Sequence, residues 1–169
     1  MYSLDNLLDD LRQAARDGDL TAVADVVRGA IGEMPFVPQV GWSQLLHSEP
    51  GLTVLHTEVN PGFVTPLHDH RTWAVIGVYD GQEDNTFYRL VYGSRRIEQA
   101  GSRNLRKGEV LTLETEAIHK IANPLNNKLI ALHVYGNNIF EIERSAWDPA
   151  TGSEHPFKLA LDARGRVRP

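Results

Sequence analysis

The sequence predicts an all-β domain, a sandwich or barrel, with a short helical extension in front of it. Three observations predict this. From Trp42 onward the apolar runs are short, rich in Val, Ile, Leu, Thr and Tyr, and recur about every ten residues with turn residues between them. Before that point the apolar residues fall at helical spacing. A chain of 169 residues suits one domain, and burying roughly two-thirds of its unfolded surface supports one core without staples.

The elements follow in order. Ser3 is a plausible N-cap for a helix carrying Leu4, Leu7, Leu8, Leu11 and Ala15 on one stripe. Asp17-Gly18-Asp19 breaks the pattern, and Leu20, Val23, Ala24 and Val27 begin a second amphipathic run with Gly29 and Gly32 near its end. Residues 1–40 therefore read as helices packed on the body, and 41–169 as the β domain. Candidate strands are 52–59, 73–80, 85–91, 95–100, 110–113, 119–123 and 129–135. Asp80-Gly81, Tyr92-Gly93 and Lys107-Gly108 stand where tight hairpins would turn. The tail after Trp147 reads as irregular and charged, and no repeat of solenoid period is present.

Composition excludes several classes of function. The chain has no Cys, so it has no disulfide, thiolate metal site or Cys nucleophile. The balance of 17 Lys and Arg against 22 Asp and Glu gives a net charge of −5. Arg95, Arg96, Arg103 and Arg106 then read as a solvated hairpin face, and no nucleic-acid partner is expected. The N-terminus has no basic region followed by an apolar core, so it is not read as a signal peptide. The longest apolar stretch, Trp73–Val78, is far short of a membrane span. A cytoplasmic protein without a membrane partner, monomer or homodimer, is the expectation.

The chemistry centres on Pro66-Leu67-His68-Asp69-His70. On a strand, residues two apart share a face, so His68 and His70 present two imidazoles side by side, and Asp69 points the other way. Neutral imidazoles suit a divalent first-row ion, and a third ligand from another strand would complete a facial set. His119, in a later apolar run, is the natural candidate. His47, His56 and His155 have no partner pattern and read as structural or exposed, and Trp73 and Tyr88 as core or pocket wall.

These residues carry a resemblance. Gly62, five residues, His68-Asp69-His70 and then Gly81 is similar to the first motif of the cupin superfamily. Gly108, Glu114-Thr115-Glu116, His119 and Asn123 resemble the second, with Glu114 and Glu116 in place of its Pro and Gly. The resemblance implies a cupin double-stranded β-helix, or jelly-roll, barrel. It also implies a metal on His68, His70 and His119. The acidic ligand common in cupins would fall near Ala74 or Val75, which cannot bind metal, so the resemblance implies three His and no carboxylate. Such a set leaves the ion's double charge uncancelled and about three of six octahedral positions open.

A narrower likeness covers about residues 40–150. His68-Asp69-His70 with Trp73, Gly77 and Gly81, and then Leu132-His133-Val134-Tyr135-Gly136, resembles the cysteine dioxygenase-like thiol dioxygenases. The resemblance implies that the Tyr135 hydroxyl lies near the iron and that His133 holds it. Ala131 stands where the family often has Ser. A Tyr–Cys crosslink is excluded, and no Arg occurs near Ser43 and Gln44, where animal enzymes bind the substrate carboxylate. Arg144, nine residues after Tyr135 and followed by Ser145-Ala146-Trp147-Asp148-Pro149, resembles instead the bacterial 3-mercaptopropionate dioxygenases. That implies Arg144 as a bidentate carboxylate clamp. The alternatives are a surface Arg144 paired with Glu141 or Glu143, and His133 as a core residue of an apolar strand.

What the resemblance implies is an Fe(II) enzyme, although imidazoles also bind ions such as Ni or Zn. Its substrates would be O2 and a small carboxylate-bearing thiol, 3-mercaptopropionate- or cysteine-like, and its product a sulfinate. A ring-cleaving dioxygenase or sugar isomerase on the same centre, or a small-molecule-binding cupin without activity, are the alternatives.

Overall fold

Two helices, α1 (Leu4–Ala15) and α2 (Leu20–Glu33), begin the computed structural model, which describes residues 2–33 and 41–168. The boundary expected between residues 40 and 41 adjoins a stretch outside the described residues. Ser3 caps α1 as the sequence predicts: its hydroxyl accepts from the Asn6 amide, and the Asn6 side chain accepts from Ser3 N in return. Asp19 Oδ1 accepts from Thr21 N ahead of α2, and Gly18 takes φ +67° at the break between the helices.

Thirteen strands follow among the described residues. They are β1 (Gln44–Glu49), β2 (Leu52–Val59), β3 (Leu67–Asp69), β4 (Ala74–Asp80), β5 (Gln82–Leu90), β6 (Ile97–Arg106) and β7 (Val110–Leu113). After them come β8 (Ile118–Ala122), β9 (Leu129–Tyr135), β10 (Arg144–Trp147), β11 (Glu154–Phe157), β12 (Ala160–Leu161) and β13 (Val167–Arg168). One sheet has the order β1-β2-β9-β4-β7, the other β11-β10-β3-β8-β5-β6, and β12 and β13 form a small ribbon.

Alternation along β4 and β9 sorts the core into two layers. Val75, Leu132 and Val134 face outward and pack with Leu7, Leu11, Val23 and Val27 of the helices. Ala74, Ile76, Val78, Leu129, Ala131 and Tyr135 face inward, toward Leu105 and Ile121 of the second sheet. A strand covered on both faces reads as a continuous apolar run, which is why the sequence shows β9 so clearly. Gly77 belongs to the helix side, where a Cβ would come within 2.6 Å of Val27 Cγ1.

Three expectations are corrected. Asp80-Gly81 and Lys107-Gly108 are not hairpin turns: β4 and β7 lie in one sheet and β5 and β6 in the other, so both glycines turn corners between sheets. Gly81 has φ +82°, and a Cβ there would meet Lys128 O at 2.7 Å. Tyr92-Gly93 does join a hairpin, β5 to β6. The strand expected to end at residue 100 continues to Arg106, because β6 is an edge strand whose solvent face needs no apolar residues. The tail after Trp147 is not irregular: β11 pairs with β10, which itself inserts beside β3, and closes that edge with Pro156, which an edge strand tolerates, while β12 and β13 form the ribbon. The sequence reading also did not include β1.

Candidate metal centre

Strand pairing brings the three predicted histidines together. His68 on β3 stands opposite His119 on β8, and Phe87 on β5 stands on the other side of His119. His70 lies one residue past β3 and keeps the face of His68. The Nε2 atoms of His68 and His70 are 3.2 Å apart, as are those of His70 and His119, and the three ligand nitrogens lie within 4.8 Å of one another. All three rings are buried.

The hydrogen bonds of the far nitrogens fix the tautomers. His68 Nδ1 faces the Pro66 carbonyl at 2.8 Å, and a carbonyl only accepts, so Nδ1 carries the proton. His119 Nδ1 donates in the same way to Asn85 Oδ1 at 2.8 Å. Their Nε2 lone pairs then point at one small space. Burial holds the His68 pKa down at about 4, and it holds those of His70 and His119 well below the ordinary histidine value, with the neighbouring imidazoles adding to the effect. Nitrogens converging at 3.2 Å share either a proton carried by His70 Nε2 or a cation. Two nitrogens bound at a right angle to one ion at about 2.1 Å stand about 3.0 Å apart, so the set fits a metal. His70 Nδ1 is buried without a partner. No acidic residue joins the set among the described residues.

Tyr135 and His133 share the inward face of β9. The Tyr135 ring lies edge-on to His70, with centroids 5.1 Å apart, and its hydroxyl is 3.1 Å from His133 Nδ1. Burial raises the Tyr135 pKa far above the usual range, so the hydroxyl stays protonated. The other nitrogen of His133 reaches Glu83 Oε2 at 3.0 Å, so His133 is a hydrogen-bonded member of the interior rather than an apolar-core residue.

Arg144 is not on the surface. It is 3 % exposed, pairs with neither Glu141 nor Glu143, and leaves Nε and Nη2 buried without partners. Ala146, two residues on, stands opposite His68, so Arg144 shares the histidine face of the sheet. Its guanidinium lies 5.0 Å over the Phe157 ring, and Phe157 in turn packs 4.9 Å from His68. Burial lowers the Arg144 pKa from its usual value. A surface cavity of about 400 Å³ opens among Arg71, Ser145, Glu154, His155 and Lys158; it shares Arg144 with the centre and none of the centre's three histidines.

The remaining predicted residues are structural. Asp69 points away from the imidazoles, accepts from Ser145 N at 2.7 Å and from Arg71 at 3.1 Å, and so ties β3 to the strand of Arg144. Asn123 bonds the Val59 and Asn127 carbonyls and closes a turn. His47 and His56 sit beside Glu49 and Glu58, and His155 is exposed. Trp73 packs on Gly136, where any Cβ would overlap its ring, and Tyr88 joins Leu67, Ile118 and Trp147 on the outer face.

Four residues near the centre escaped the sequence reading: Glu83, Asn85, Phe87 and Phe157. The first three alternate inward along β5, but Gln82 to Thr86 are all polar, so Phe87 alone gives the inward face no alternating apolar pattern.

No family model matches the chain. Among solved structures, it is similar to an uncharacterised double-stranded β-helix protein from Klebsiella pneumoniae, with 13% identity, a TM-score of 0.50, and coverage of 69% of this chain and 87% of the other. An RmlC-like cupin from Methanocaldococcus jannaschii shows 14% identity and a TM-score of 0.49, over 62% and 88% of the two chains. An oxalate oxidase shows 18% identity and a TM-score of 0.44, over 52% and 43%. This chain spans 43% of that oxidase and 25% of an oxalate decarboxylase from Lactobacillus farciminis. None of the helices among the described residues is long and apolar enough to cross a membrane. The chain has a double-stranded β-helix fold, with a buried three-histidine group that could hold a metal ion.

Proposed function

We propose that the protein is a non-haem iron thiol dioxygenase acting on a small carboxylate-bearing thiol, 3-mercaptopropionate- or cysteine-like. The observation that carries this reading is Arg144: a buried, unpaired guanidinium on the face of three imidazoles that lack an acidic partner. A buried cation without a counter-ion is a binding site for an anion.

His68, His70 and His119 would hold the iron(II), which supplies a redox-active Lewis-acid centre with open positions for small ligands. Arg144 grips the substrate carboxylate through its planar fork and so fixes where the sulfur sits. Tyr135 turns its hydroxyl oxygen toward the bound ligands, and His133 keeps that hydroxyl in place. The apolar walls, Phe87 and Phe157 among them, keep bulk water from the reacting sulfur. Overall, one thiol and one O2 become one sulfinic acid: both oxygen atoms go to sulfur, and the four electrons that reduce O2 come from that sulfur. No external reductant enters.

The experiment is anaerobic loading with Fe(II), followed by O2 uptake across carboxylate thiols, neutral thiols, catechols and sugars. Uptake with a carboxylate thiol, at one O2 per sulfinate, is the expected result. Uptake with catechols alone, or isomerisation of a sugar without O2, would overturn the reading.

A further inference from the structure

Glu83 has no accessible surface and spends both carboxylate oxygens inside the barrel. Oε1 accepts from Asn85 Nδ2 at 2.9 Å, and Oε2 lies 3.0 Å from His133 Nε2. Past Asn85 stands His119, with Nδ1 2.8 Å from the amide oxygen. Past His133 stands the Tyr135 hydroxyl, 3.1 Å from Nδ1. The five side chains form one buried file with Glu83 at its middle. Ala131 offers His133 no side-chain partner, so Glu83 Oε2 and the Tyr135 hydroxyl are what hold the ring.

An acceptor at the centre sets the direction of every bond in the file. It turns the Asn85 amide nitrogen inward, which leaves the amide oxygen to accept from His119 Nδ1 and keeps the His119 Nε2 lone pair facing the other imidazoles. On the opposite side it takes the proton of His133 Nε2, which leaves Nδ1 as a lone pair. The Tyr135 hydroxyl then donates to His133 and shows its oxygen lone pairs to the interior.

The geometry points to Glu83 as a positioning residue for two groups at once: the tautomer of His119 through Asn85, and the hydrogen-bond direction of Tyr135 through His133. Only the His119 arm rests on the metal centre proposed above. A hydrogen-bonded carboxylate behind a ligating imidazole commonly supports metal affinity or turnover by about tenfold to a hundredfold, and here the same carboxylate also reaches the pocket hydroxyl.

The test is the histidine tautomers, read by ¹⁵N–¹H correlation spectra of the full-length, metal-free protein labelled at histidine, together with Co(II) titration. In the wild type, His133 is expected to be protonated at Nε2 and His119 at Nδ1. Glu83→Gln keeps the size but adds a donor. Asn85 Nδ2 holds the amide oxygen of the new residue, so its amide nitrogen faces His133, which must move its proton to Nδ1. The tautomer of His133 should therefore reverse while Co(II) affinity changes by less than about threefold, and kcat should fall by about tenfold or more with KM little changed. Asn85→Leu cuts the other arm: Co(II) affinity should fall by about tenfold to a hundredfold while His133 stays protonated at Nε2. A wild-type His133 protonated at Nδ1 would overturn the inference, and that spectrum needs no variant to fold. So would a Glu83→Gln protein whose His133 tautomer is unchanged. Expected tautomers without any Co(II) binding would support the Glu83–His133 arm and refute the metal centre instead.

Discussion

Replacing Arg144 with methionine separates a residue kept for binding from one kept for folding. The guanidinium is buried, two of its nitrogens have no partner, and its aromatic contact is Phe157 at 5.0 Å. A buried donor left unsatisfied costs about 1–3 kcal/mol, and two of them outweigh a cation–π contact worth about 0.5–2 kcal/mol. Methionine keeps a flexible apolar stem against the same ring. The metal-free protein is therefore expected to gain about 1–3 kcal/mol on Arg144→Met. With a urea slope of about 2 kcal/mol per molar, the midpoint should rise by about 0.5–1.5 M. The cost should surface in binding. Losing one partner of a buried charge pair costs about 2–5 kcal/mol, so kcat/KM for 3-mercaptopropionate should fall by about thirtyfold to several thousandfold. A neutral thiol such as 2-mercaptoethanol has no carboxylate to lose, and its kcat/KM should change by less than about threefold. The reasoning is refuted if Arg144→Met unfolds at clearly lower urea than the wild type. The guanidinium would then be holding the barrel together rather than waiting for an anion.

Tyr135→Phe removes the hydroxyl 3.1 Å from His133 and should lower kcat by about tenfold to a hundredfold while metal content by elemental analysis stays unchanged; loss of metal would show a structural role instead. The metal-free protein should lose stability as the pH falls from about 6.5 to about 4, because the unfolded chain protonates its histidines near 6.5 whereas folded His68 resists until about 4. The sign is that of a depressed folded pKa: the unfolded state binds more protons across that window, so folding is favoured above it. His68 alone accounts for roughly 3 kcal/mol, with His70 and His119 acting in the same direction, and urea midpoints that stay flat from pH 7 to about pH 4.5 would contradict this. Gly77→Ala drives a methyl to 2.6 Å from Val27 and 3.0 Å from Ile31, so the melting temperature should fall by the equivalent of about 1–3 kcal/mol with Co(II) affinity unchanged, since Gly77 faces the helices.

What the sequence disclosed follows from which residues carry a pattern of their own. The spacing of His68 and His70 needs only strand alternation, and β3 supplies it. The stripes of α1 and α2 need only helical periodicity, and Leu7, Leu11, Val23 and Val27 are buried as those stripes require. The apolar run of β9 marks itself because both of its faces are covered. Glu83 and Asn85 carry no such mark. They lie in a polar run, and only the pairing of β5 with β8 gives them a place behind His119. Arg144 carries no spacing signal of its own beside Glu141 and Glu143, and only the resemblance singled it out, because the burial of β10 depends on its insertion beside β3, about seventy-five residues earlier in the chain. Local spacing therefore showed the ligands, whereas what holds and charges them is set by contacts between distant strands.

Charge bookkeeping then ties the proposed substrate class to the barrel. Three neutral imidazoles contribute nothing, so a divalent ion at the centre would bring its whole double charge into a buried space. Arg144 adds a third positive charge on the same face, and Glu83, held two bonds away through Asn85, returns one negative charge without entering the ligand set. An interior left with two uncompensated positive charges is costly, and the cost is relieved most fully by a ligand that carries two negative charges at separate ends. A thiolate and a carboxylate on one short chain meet that requirement. A neutral sugar or a singly charged catecholate leaves the interior positive. The carboxylate missing from Ala74 and Val75 is thus supplied, in this reading, by the substrate: the empty acidic position and the unpaired Arg144 are two halves of one selectivity for a small dianion.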